Sequence, residues 1–215
     1  MKLMNKLTAL LVAALIVAGC GKTGIKTGDK QEVAGKTGKT LVISLEDSKV
    51  NWTGKKVTGQ HTGTIDISKG EVYVDNGKLT GGFVEMDMNS IKNSDLADPE
   101  LNAKLVKHLK SDDFFAADKF PVSKFEITRV KELNDPDKPN ANAYVMGNLT
   151  IKNITRSIIF PAEIKIDNNV LKCKASADID RTEWSIKYGS GKFIENLGDK
   201  MIYDVFNLEF SVTAK

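Results

Sequence analysis

The sequence predicts a mainly β domain, an antiparallel sheet that closes on itself and carries one short helical insertion. Three observations carry that expectation. Apolar and polar residues alternate with a period of two over most of residues 41–215, Asn- and Gly-containing turns separate the runs, and a single capped segment has helical spacing. A regular β-α repeat is absent, which excludes a doubly wound parallel sheet.

The elements follow in order. Leu41, Ile43 and Leu45 alternate with Val42 and Ser44, and Val50, Trp52 and Gly54 form the next row. His61, Gly63, Ile65 and Ile67 make a third, which should break at Ser68-Lys69-Gly70 before Glu71–Val74. Asp75-Asn76-Gly77-Lys78 supplies the positive φ of a type I′ turn, so 71–90 reads as a hairpin. Gly81-Gly82 within its second strand points to a bulge or bend, as in a closing barrel.

Asp98 is a good helix N-cap, Pro99 suits the first helical position, and Glu100 favours the positive end. Leu101, Leu105 and Leu109 recur on one face, with Lys104, Lys107 and Lys110 away from it, so the helix should end near Lys110. Ser111-Asp112-Asp113 starts a turn carrying Phe114 and Phe115, and Phe120-Pro121 restores extended chain. Residues 134–140 form a loop. Ile158, Phe160, Ala162, Ile164 and Ile166 then line one face, Asp167-Asn168-Asn169 turns, and Leu171, Cys173, Ala175, Ala177 and Ile179 line the next. Ile202, Phe206, Leu208, Phe210 and Val212 complete the last row.

Composition bounds the function. The chain has 215 residues, 41% hydrophobic and 27% charged, enough for one domain with a sizeable core or two small ones. A net charge of +3 is too small to indicate a nucleic-acid partner. Two Cys cannot make a disulfide framework, and two His with two Cys cannot make an ordinary structural zinc site. No Gly-x-Ser-x-Gly elbow occurs. His61 and His108 have no Cys or His neighbour at metal spacing and read as structural, and Asp112-Asp113 reads as capping and solvated charge. No cofactor is expected.

The N-terminus reads as an address. Lys2 and Lys6 precede a twelve-residue apolar stretch, 7–18, interrupted only by Thr8. Such a helix rises about 18 Å, short of the roughly 30 Å hydrocarbon core. The stretch ends in Val17-Ala18-Gly19-Cys20, which resembles the lipobox of bacterial lipoproteins. That resemblance implies a signal peptide over 1–19, cleavage before Cys20, and acyl chains on Cys20 that tether the chain to a membrane. The alternative is an ordinary secretory signal with an incidental Cys. Residues 20–40, rich in Gly, Thr and Lys, read as a flexible linker, leaving 41–215 as the folded domain. Gly-Lys-Thr at 21–23 and 38–40 lacks the preceding Gly of a P-loop.

A small barrel either fills its interior with side chains or leaves a cavity. The small Cys173, Ala175 and Ala177 can face the large Phe206 and Phe210 and pack tightly, or leave a long apolar slot; periodicity alone favours the filled core. A second resemblance shifts that balance. Trp52-Thr-Gly-Lys-Lys56, Gly59-Gln-His61-Thr-Gly63 and Gly81-Gly-Phe-Val-Glu-Met-Asp-Met-Asn-Ser-Ile91 occur in order. His108-Leu-Lys-Ser-Asp-Asp-Phe-Phe115 with Phe120-Pro121, Gly147-Asn-Leu-Thr-Ile-Lys152 and Asp180-Arg181-Thr-Glu-Trp184 follow. Together they resemble the YceI-like family over most of 41–215, although Ser185 stands where that family usually has Gly.

The resemblance implies an extended, lipocalin-like antiparallel β-barrel that is secreted or periplasmic and non-enzymatic. Its interior would hold a polyisoprenoid or another long-chain lipid, such as a fatty-acyl chain. Lining candidates on strands are Trp52, Phe83, Phe125, Cys173, Ala175, Ala177, Phe206 and Phe210. The helical insertion offers Leu105, Leu109, Phe114 and Phe115, and Arg181 could meet a polar headgroup; each of these has plain packing or surface roles as its alternative. With the Cys20 anchor, the expected place is the bacterial cell envelope, facing the periplasm or the exterior. Two rival readings stand beside this one. One is an interaction module with a filled barrel and no ligand. The other is a hydrolase or isomerase, which needs His61 or His108 at the cavity wall.

Overall fold

The computed structural model describes residues 24–215. Two short outer strands, β1 (Thr27–Gly28) and β2 (Lys39–Val42), precede eight long ones. These are β3 (Lys49–Lys56), β4 (Gly59–Asp75), β5 (Lys78–Asn93), β6 (Val122–Glu132), β7 (Ala143–Ile151), β8 (Ile154–Asp167), β9 (Val170–Asp180) and β10 (Val205–Ala214). Each pairs antiparallel with the next, and β10 returns to β3, so the eight close an up-and-down barrel. Full closure removes the free sheet edges that a two-faced sheet of this length would otherwise expose.

Turn chemistry sets the register. Asn76 and Gly77 take φ of 49° and 73° between Asp75 and Lys78, and Asn168 and Asn169 take 49° and 63° between Asp167 and Val170. Both are the hairpins the sequence predicts. The β7–β8 turn uses Lys152 and Asn153 at φ 50° and 60°, where Lys gives no such signal. The expected break at Ser68–Gly70 is instead a register shift between Ile67 and Lys69 within one 17-residue strand. A further shift lies between Tyr73 and Val74, with Thr80 as the extra residue, and Gly82 has φ 141°, so the irregularity predicted at Gly81-Gly82 begins one residue before it.

The helix α1 (Pro99–Lys110) begins and ends as expected, with Asp98 Oδ1 accepting from the amides of Glu100 and Leu101 at 2.9 and 3.0 Å. Its apolar row is only partly used: Leu109 packs on the core, whereas Leu101 is exposed. The turn after the helix brings Phe114 into the core and sets Phe115 edge-on to Phe206 of β10.

The linker expected over 20–40 is not what the described part, 24–40, forms. Ile25 donates its amide to Asp178 at 2.7 Å, β1 pairs with β8, and the Ala34 amide reaches the Ile127 carbonyl at 3.0 Å. The side chain of Asn148, fully buried, accepts from the Gln31 amide at 2.9 Å and donates to the Gln31 carbonyl at 2.8 Å. Thr37 and Gly38 then meet Thr80 and Val74, and β2 joins β4. Backbone pairing and one buried amide therefore hold a segment whose composition offers few apolar anchors. Asn148→Ala leaves the Gln31 amide and carbonyl unpaired. It is expected to cost about 1–3 kcal/mol and to speed tryptic cleavage at Lys26, Lys30 and Lys36, read by limited proteolysis.

Candidate ligand-binding site

The pleat of the barrel strands turns alternate side chains inward, and those side chains do not fill the interior. Two apolar cavities of about 110 Å³ each lie end to end. Met86, Leu149 and Leu208 line both and form the waist between them. The inner cavity is walled only by apolar residues and Cys173. The outer one lies under the α1 insertion and the β9–β10 connection, with Ser123, Arg181 and Tyr203 among its walls. A filled core would leave neither.

Trp52, Leu109, Phe114, Phe115, Arg181 and Phe206 line the outer cavity, and Phe125, Cys173, Ala177 and Phe210 line the inner one. Three expected residues do not line them. Phe83 follows the bulge at Thr80 and lies on the outer face, where Lys124 Nζ sits 5.1 Å from its ring. Leu105 stays on the helix away from the cavity, because only the last turn of α1 reaches it. Ala175 packs against the core beside Phe210 without reaching either space. Cys20 lies outside the described residues.

Arg181 is a clamp as well as a wall. Its Nη1 donates to Ile186 O at 2.9 Å, its Nη2 to Ile202 O at 3.1 Å, and its Nε to Tyr203 O at 3.3 Å. Asp204 Oδ1 stands 3.4 Å from Nη2. Burial lowers the guanidinium pKa from its usual value, while Asp204 and Asp180 act against that shift. An arginine remains charged in such a setting. Trp184, fully buried, donates Nε1–H to Leu149 O at 3.1 Å and fixes the start of the same connection.

Burial pushes the Cys173 thiol up to about 12, with Glu163 adding to the shift. In a full chain carrying Cys20→Ala, Cys173 is the remaining thiol. It is expected to resist iodoacetamide at pH 8 while folded and to react on unfolding, as mass spectrometry would show. The folded thiol keeps its proton where an unfolded one, near 9, loses it. This contribution to stability is whole below pH 9 and disappears as pH rises towards 12.

Neither histidine touches either cavity. His61 Nδ1 lies 2.9 Å from Asp95, and His108 Nε2 lies 3.0 Å from Asp113. The wall histidine that a hydrolase or isomerase of this kind needs is therefore not found among the described residues. No cluster of three or more His, Cys, Asp or Glu stands ready for a metal among them either.

Met86, Met88, Leu149, Ile186 and Tyr203 are further wall residues, beyond those expected from the sequence. The two methionines alternate with Glu85 and Asp87 on β5, so their row was readable. Ile186 and Tyr203 come from an irregular connection that no periodicity marks.

The YceI-like domain model matches residues 41–214. The chain belongs to the YceI-like family. Among curated relatives, this YceI-like chain is 33% identical over 100 residues to a UPF0312 protein of Shewanella denitrificans, covering 46% of this chain and 47% of that one. It is 36% identical over 63 residues to a UPF0312 protein of Photorhabdus laumondii, covering 29% and 30%. The chain thus spans about half the length, or less, of the curated relatives it matches. Among solved structures, Burkholderia cenocepacia BcnA superimposes with a TM-score of 0.61 at 20% identity, covering 80% of this chain and 99% of that one. A polyisoprenoid binding domain from Saccharophagus degradans gives 0.57 at 11% identity, covering 86% and 99%. At these identities the two structures show a shared fold.

Proposed function

We propose that this YceI-like barrel holds a long-chain lipid, polyisoprenoid-like or fatty-acyl, for storage or transport in the cell envelope, without a chemical step. The two apolar cavities aligned end to end carry the reading. The polyisoprenoid-binding description of the Saccharophagus degradans domain supports the ligand class. An apolar chain needs few directional contacts, and each buried CH₂ contributes about 0.8 kcal/mol. An empty apolar cavity of 110 Å³ costs about 2–3 kcal/mol at roughly 24 cal/mol per Å³, so occupancy relieves a strain on stability. A chain longer than the two spaces requires the waist of Met86, Leu149 and Leu208 to yield, and Met and Leu rotate readily. Among the described residues no helix is long and apolar enough to cross a membrane. The tether in this reading is acylated Cys20, on the periplasmic or outer side.

Trp52 offers a direct reporter. It lines the outer cavity, whereas the other tryptophan, Trp184, is buried outside the cavity walls. Titrating the full chain, stripped of lipid, with a polyprenyl alcohol or a fatty acid should shift Trp52 emission saturably to the blue. Trp52→Phe should remove that change. Emission unchanged by either class of lipid would contradict the proposal.

A further inference from the structure

The end of the barrel that carries the outer cavity is also the most apolar part of the surface. Among the described residues eleven large apolar side chains are exposed, and five of them, Val57, Tyr188, Phe193, Ile194 and Tyr203, belong to two segments at this end. Those segments, the β3–β4 tip and residues 185–204, are joined. Val57 donates its amide to Met201 O at 3.1 Å, Tyr203 donates to Lys55 O at 3.0 Å, and Ile202 donates to Gly189 O at 2.8 Å. Tyr203 both lines the cavity and is 39% exposed, so the cavity wall reaches the surface here.

The same two segments carry five lysines, Lys55, Lys56, Lys187, Lys192 and Lys200, against Glu195, Asp199 and Asp204, the last paired with Arg181. Lys192 is engaged with Asp180 at 2.6 Å, and Lys187 Nζ lies 4.6 Å from the Phe193 ring. Exposed apolar side chains interspersed with basic ones in the same segments match the interior and the headgroups of an anionic bilayer.

The N-terminal strap leads to the same end. Gly24 packs so closely on Asp180 that an added Cβ would lie 2.9 Å from its amide nitrogen, and Asp180 opens the 181–204 connection. Cys20 is four residues further on, within about 14 Å along a fully extended chain. A free twenty-residue linker, by contrast, would reach about 25 Å in any direction.

From these three observations we propose that the mouth end is a membrane-docking face. Phe193, Ile194 and Tyr203 seat on an anionic phospholipid bilayer, and the strap holds the tunnel opening towards it. The proposal rests on the lipid-tunnel reading and gives that tunnel its loading side.

The test uses the full chain with Cys20→Ala, so that no acyl anchor contributes, sedimented with vesicles of phosphatidylcholine with or without phosphatidylglycerol. Binding is expected only with phosphatidylglycerol and should weaken with salt. Phe193→Asp/Ile194→Asp should lower the partition coefficient by more than about tenfold, and Lys55→Gln/Lys56→Gln should blunt the dependence on phosphatidylglycerol. Val42→Asp/Leu45→Asp, at exposed apolar positions elsewhere, should change nothing. Three results overturn the proposal: no binding by the parent chain, undiminished binding by the mouth variant, or equal loss in the Val42/Leu45 control. Native masses of the same samples separate the two claims. A chain that carries lipid yet ignores vesicles rejects the docking face and keeps the tunnel.

Discussion

Gly54→Phe is expected to abolish lipid capture while leaving the barrel folded. Gly54 lies on β3 in the row with Val50 and Trp52 and lines the outer cavity. A Cβ built there meets no atom within 4 Å, so a side chain enters open space rather than a neighbour. Its backbone is not in the left-handed region, so an L residue adopts it without strain. An aromatic ring then occupies the volume a lipid chain would use, in a strand that favours aromatic residues. Bound lipid per protein should fall to background, and the urea midpoint should correspond to a change within about 1 kcal/mol. Gly147 gives the contrast. A Cβ there would lie 2.3 Å from Phe125 and 2.6 Å from Glu126 O, so Gly147→Ala should destabilise the fold instead.

Arg181→Met is expected to cost about 3–5 kcal/mol of stability, measured by urea unfolding. The substitution strips the carbonyls of Ile186, Ile202 and Tyr203 of their donor and leaves Asp204 without its buried partner. The connection 185–204 would lose its pin, and with it Ile186, Ile202 and Tyr203 as cavity walls. Arg181→Met/Asp204→Leu should recover part of the loss, because it also removes a carboxylate left with only the half-exposed Lys192, 3.7 Å away. A cost below about 1 kcal/mol for the single variant would show that Arg181 is solvated rather than clamped.

Much of the barrel was readable because its signals are local. Asn76-Gly77 and Asn168-Asn169 fix hairpins by backbone conformation alone, and Asp98-Pro99-Glu100 fixes a helix start the same way. Phe125, Cys173, Ala177, Phe206 and Phe210 fell on the cavity walls because alternation decides which face a strand residue takes. The misreadings have equally physical causes. A bulge at Thr80, just before Gly81, inverts the parity after it and sends Phe83 outward. Helical spacing shows that Leu101, Leu105 and Leu109 share a stripe, but not how far along it the barrel reaches. The strap over 24–40 is held by hydrogen bonds to distant residues such as Asn148 and Asp178, which leave no mark on its own composition. Whether inward side chains meet across a barrel is a matter of three-dimensional volume, which periodicity in one strand does not contain.

The mass of the full chain carrying Cys20→Ala, expressed in bacteria and purified without detergent, tests the central claim most directly when taken under native and then denaturing conditions. The tunnel predicts a stoichiometric long-chain lipid that departs on denaturation. A chain that emerges bare, and stays bare when offered polyprenyl and fatty-acyl lipids, would contradict it.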